Sequence, residues 1–72
     1  MRRERVIAKL RELKYKFRRP SDRVDIWSHP TTGHQVHVRR RDDIDDDWVR
    51  GALLACGCTR DEIETFIQAC KN

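Results

Sequence analysis

The chain has 72 residues, 39% of them charged and 38% hydrophobic, with a formal net charge of +4. That length fits one domain, which buries only about 60% of its unfolded surface, so the core must be small. The recurring Trp, Phe, Ile, Leu and Val residues exclude a disordered tail, and no apolar run approaches the roughly 20 residues that span a bilayer.

The charge is unevenly placed. Residues 1–41 carry 13 Lys or Arg against 4 Asp or Glu, whereas residues 42–72 carry 3 against 8. A basic part of that size attracts phosphate backbones by steering and counterion release. The plain alternative is a solvated surface with a dipole and no partner. We favour a nucleic-acid partner.

In chain order, Val6, Leu10, Leu13 and Phe17 recur at steps of four and three, which predicts a helix over 3–15 with one apolar face and a basic remainder. A short first strand is expected over 16–19, ended by Pro20, because proline suits an edge or a turn. Residues 24–28 and 35–39 alternate as two strands, and the turn between them holds Pro30 and Gly33. With Ile26 opposite Val36, Val24 falls opposite Val38 and Asp25 opposite His37. Val24, Ile26, Val36 and Val38 then face the helices.

Asp42, Asp43, Asp45, Asp46 and Asp47 precede the apolar pattern Trp48, Val49, Ala52, Leu53, Cys56. Negative charge there suits a helix start, and the spacing predicts a second helix over 47–56, stopped by Gly57. The same carboxylates are oxygen ligands of the kind Mg²⁺ takes, but the helix start explains them without a metal. As an acidic loop they could also pair with Arg39–Arg41 or confine RNA to one side. Thr59 and Glu62 form a capping-box pattern before a third helix over 60–70, with Ile63, Phe66, Ile67 and Cys70 as its buried face.

The fold class expected is therefore α+β, in the order α-β-β-β-α-α, one domain over 1–72. Its three-stranded antiparallel sheet carries the helices on one face. Cys56, Cys58 and Cys70 are an odd number without a disulfide framework, and no signal peptide is expected. This points to a reducing compartment and a cytoplasmic location. Their spacing matches no zinc pattern, so they are read as small apolar helix residues. No cofactor and no metal is expected.

The element order helix–strand–strand–strand–helix is that of the double-stranded-RNA-binding fold, and the chain resembles one family that uses it. Val6 to Phe17, Ile26-Trp27-Ser28-His29-Pro30, Val36-His37-Val38, Trp48-Val49-Arg50 through Leu53, Cys56-Gly57-Cys58-Thr59 and Arg60 to Phe66 follow one another as the corresponding segments do in HicA-like (YcfA-like) toxins of toxin–antitoxin pairs. The resemblance implies a metal-independent endoribonuclease acting on mRNA, with a small antitoxin protein as partner. It also implies a catalytic histidine at the head of the second strand. Here that position is Val24 or Asp22, and the family's Pro and His-Gly segment after the third strand is replaced by Arg39-Arg40-Arg41.

A metal-independent ribonuclease needs a base for the 2′-hydroxyl and an acid for the leaving oxygen, and histidine suits both. Three are present. His29, beside Pro30, reads as a turn residue. His34 reads as a solvated hairpin residue that touches phosphate. His37 is placed next to Asp25 by the register above, so His37 and Asp25 are the catalytic candidates, with an ordinary cross-strand polar pair as the simpler reading. Lys14, Lys16, Arg18, Arg19, His34, Arg39, Arg40 and Arg41 are the expected RNA contacts. The function expected is a small RNA-binding domain without effective cleavage, since neither Val24 nor an exposed Asp22 is a serviceable base at pH 7. The alternatives are an active mRNA interferase using His37 or His34, and a non-catalytic protein-interaction module.

Overall fold

A computed structural model describes residues 1–71. Three helices and three strands follow one another: α1 (Arg3–Glu12), β1 (Lys16–Ser21), β2 (Val24–Ser28), β3 (Gln35–Arg39), α2 (Asp46–Ala55) and α3 (Arg60–Lys71). The strands form an antiparallel sheet in the order β1-β2-β3. This is the α+β class and the element order expected. No helix of the described residues is long and apolar enough to cross a membrane.

α1 is shorter than its apolar stripe suggested. It stops at Glu12 because Lys14 turns into the left-handed region, with φ of 74°. The Lys14 N–H donates to the Arg11 carbonyl and the Tyr15 N–H to the Leu10 carbonyl, both at 2.9 Å. These are the two bonds of a Schellman ending, and Leu10 and Tyr15 are both buried beside it. A lysine stands where glycine usually does, so the residue types carried no stop signal. Phe17 therefore leaves the helical stripe and is 51% exposed.

The later helix ends follow their sequence signals. Asp45 caps α2 by accepting the Asp47 N–H at 2.8 Å. Gly57 (φ 94°) closes α2 with a second Schellman pair, from Gly57 to Leu54 and from Cys58 to Leu53. Thr59 and Glu62 exchange the two bonds of a capping box at 2.8 and 3.2 Å.

β1 runs on through Pro20, which the sequence placed at its end. Pro20 pairs with Asp25, and β1 is an edge strand, where a missing N–H costs no ladder bond. A bulge between Phe17 and Arg19 leaves Arg18 unpaired in the register.

The β2–β3 register differs by one residue from the expectation. Val36 lies opposite Trp27, Val38 opposite Asp25, and His37 opposite Ile26. Val36 and Val38 face the helices as expected, but their β2 neighbours there are Trp27 and Asp25, not Ile26 and Val24. A one-residue slip inverts a whole strand. Turning Trp27 inward buries the larger apolar surface, since an aromatic of this kind hides about 150–250 Å². The cost is an inward Asp25, which two arginines neutralise.

The core comprises Val6, Ile7, Leu10, Tyr15, Trp27, Val36, Val38, Ile44, Val49, Leu53, Cys58, Ile63 and Ile67. Ile44, the lone apolar residue of the acidic run, is buried between β3 and α2 in chain order, and its N–H donates to the Met1 carbonyl at 2.6 Å. Ile26 is buried but lies outside that cluster. It sits on the other face of the sheet, in one cross-strand row with Arg19 and His37.

Candidate nucleic-acid interface

Strand alternation defines what the helix-free face of the sheet presents. Three cross-strand rows lie on it: Lys16–Ser28–Gln35, Arg19–Ile26–His37 and Ser21–Val24–Arg39. None of these nine residues is acidic. Lys16, Arg19, His37 and Arg39 are exposed. None of the three cations makes an ion pair among the described residues. Long cationic stems cover apolar surface while their charged ends stay in water, which accounts for a buried Ile26 at the centre of a hydrophilic face.

Arg41 and Arg23 extend the patch. Together with Arg39 and Arg40 they line a groove of about 510 Å³ at the β2 start, which Asp22 and Val24 complete. Arg23 holds φ at 62° in the tight β1–β2 turn, which aims this end of the hairpin.

Arg40 is engaged within the fold. Its Nε donates to Asp25 Oδ1 at 2.9 Å, and its Nη2 donates to the Ser21 carbonyl at 2.5 Å and the Val24 carbonyl at 2.9 Å. Asp25 Oδ2 also accepts from Arg3 Nη2 at 2.7 Å, while Arg3 Nε donates to the Arg39 carbonyl. This latch ties the start of α1 to the turn end of the sheet. The Arg40 hydrogen bond, helped by the nearby charges of Arg40 and Arg3, holds the Asp25 carboxyl below the usual carboxylate range.

The expected Asp25–His37 pair is therefore absent. Asp25 lies on the helix side, held by Arg3 and Arg40, and His37 lies on the open side opposite Ile26. A one-residue register error placed them together, and the alternation of five-residue strands could not reveal it. His37 joins the cationic face instead.

His29 and His34 are organised around Tyr15. His29 Nδ1 accepts the N–H groups of Thr31 and Thr32 at 3.1 and 3.3 Å, which gives it the turn role expected. His34 is not simply solvated. Its Nδ1 lies 2.7 Å from the Tyr15 hydroxyl, and both imidazoles stand edge-on to the phenol ring. Burial, with a Cys56 hydrogen bond, pushes the Tyr15 hydroxyl well above the ordinary phenol range, so it stays neutral. Burial likewise raises the Cys56 and Cys58 thiols, which favours the unreactive thiol form.

Among the described residues the acidic run makes no ion pair with Arg39–Arg41, although Asp43 and Asp45 line one cavity with Arg39 and Arg41. Asp43 and Asp46 pair with the Met1 ammonium at 3.2 and 3.4 Å, Asp46 also meets Lys71, and Asp47 pairs with Arg50. Among the described residues no cluster of three or more His, Cys, Asp or Glu side chains could hold a metal.

Lys14 and Lys16 border a second groove of about 560 Å³, whose wall is Arg11, Tyr15, Phe17, Trp27 and Pro30. Trp27 Nε1 is buried and has no hydrogen-bond acceptor among the described residues. The only sequence sign of this groove was the alternation of Lys14, Lys16 and Arg18 with Tyr15 and Phe17. Compared with models of known protein families, with curated proteins and with solved structures, the chain matches none significantly.

Proposed function

We propose that this chain is a small HicA-like domain that binds RNA in the cytoplasm and does not cleave it effectively. One observation carries the reading: the open sheet face presents Lys16, Arg19, Arg39 and His37 with no carboxylate among its nine residues. Unpaired, exposed cations are free to replace the counterions of a phosphate backbone. Paired ones such as Arg40 and Arg50 are already engaged with carboxylates. The expected contacts are thus Lys14, Lys16, Arg18, Arg19, Arg39 and Arg41, with Arg40 shaping the fold that displays them.

Absence of cleavage is expected because His37 has no carboxylate to orient its ring, and His29 Nδ1 is occupied by two backbone donors. The rival mRNA-interferase reading rests on His34, whose contact with Tyr15 is the single histidine–acid pair among the described residues. Incubating the purified chain with end-labelled RNA at low salt tests both readings at once. Retarded, intact RNA is expected. Cut RNA would install the interferase, and no affinity even at low salt would leave a protein-interaction module.

A further inference from the structure

We propose that the groove beside β1 is a stacking site for one unpaired base of a single-stranded RNA, with Phe17 as its platform. This rests on the RNA-binding reading above and names the form of RNA recognised. Phe17 is 51% exposed on an edge strand, where an unliganded aromatic gains nothing from packing on its open side. Its inner side is fixed by Trp27, whose ring centroid lies 5.9 Å away in edge-to-face contact. Trp27 is held in turn by the Arg11 guanidinium, 5.4 Å from the indole centroid. The exposed ring is therefore backed by a braced partner, as a stacking surface must be.

The charges around it select the occupant. Lys14, Lys16 and Arg11 line the same groove as Phe17, and Arg18 bulges from the strand beside it. No acidic residue lines the groove. An apolar side chain of a protein would satisfy Phe17 but leave these cations unanswered. A nucleotide answers both, with its base on the ring and its flanking phosphates on the cations. A base inside a duplex has both faces already stacked and cannot occupy the ring. The groove lies at the edge of the cationic sheet face, since Lys16 belongs to both. Phe17 shares the helix-side row of Trp27, so a strand on the open face reaches it by turning over the β1 edge at Lys16, with Lys14 and Arg11 meeting it on the other side.

The test uses the full chain, a single-stranded RNA oligonucleotide and a duplex of equal length, with affinities measured across a salt series. Phe17→Leu keeps an apolar side chain but removes the π face, and Phe17→Trp restores one. Phe17→Leu is expected to weaken single-strand binding roughly 5- to 150-fold, the range for loss of one stacked base, with the salt slope unchanged because no charge is lost. Phe17→Trp is expected to bind as the wild type does, and duplex affinity to stay the same in both variants. Wild-type single-strand affinity in Phe17→Leu would overturn the stacking site while leaving RNA binding intact. Equal losses on single strand and duplex would also overturn it, because they assign Phe17 to structure. Absence of any RNA affinity in the wild type would remove the RNA reading, and this site with it.

Discussion

Replacing Arg19 and Arg39 together by serine tests the open sheet face most directly. Both are exposed, both lie on the helix-free face, and neither makes an ion pair among the described residues, so their loss should leave the fold intact. Each phosphate contact contributes about 0.7 to the slope of log affinity against log salt for a single strand. Two lost contacts should flatten the slope by about 1.4. Over a fourfold rise in salt, each contact accounts for a loss of roughly 2.6-fold in affinity, and two for roughly sevenfold. The wild type should therefore lose about sevenfold more affinity than the variant between 50 and 200 mM salt. Fluorescence anisotropy of a labelled oligonucleotide measures this, with circular dichroism as the check on folding. Arg50→Ser, on α2 and paired with Asp47 and Glu64, is the control and should leave the slope unchanged. Arg40→Ser should instead lower the melting temperature, because it removes the clamp on Asp25, Ser21 and Val24. A folded Arg19/Arg39 double variant that binds RNA with the wild-type slope would refute the assignment of this face.

Three further outcomes are expected. Lys14→Gly should stabilise the chain by about 1 kcal/mol, since relief of a left-handed lysine exceeds the entropy cost of glycine; for a domain this size that is a rise of roughly 4–8 °C in Tm, read by thermal melting. The Asp25 and Glu62 carboxyls are both held below their ordinary values, Asp25 by Arg40 and Glu62 by the Thr59 backbone N–H. Their contribution is complete above the ordinary values of 3.8 and 4.5 and is lost as pH falls through the lower folded values. Tm should therefore drop on acidification below about pH 4.5, and the drop should be shallower in Asp25→Asn. If prolonged incubation does cut RNA, His34→Ala should abolish the cutting and His37→Ala should spare it, as followed on a denaturing gel.

Much of the architecture was readable from local signals. Thr59 with Glu62, Asp45 before an apolar run, and Gly57 after one act within four residues of themselves, so the second and third helices ended where the residue types said. The alternation in 24–28 and 35–39 marked two strands, because a period of two needs no knowledge of the partner. The 1–41 charge excess was legible too, and part of it lies on the open face of the sheet as Lys16, Arg19 and Arg39.

Which face each residue took was decided only by tertiary packing. A five-residue strand reads equally well from either side, and the choice between Trp27 and Ile26 inward depended on what α1 could cover and on Arg3 and Arg40 receiving Asp25. That single choice separated His37 from Asp25 and moved it among the arginines. The end of α1 was equally hidden. Lys14 adopts a backbone that its side chain disfavours, because burying Tyr15 against Leu10 outweighs that local cost. The same turn sets Phe17 outside the core. Periodicity sums local preferences, whereas the register, the early helix end and the exposed aromatic are set by contacts between segments far apart in the chain.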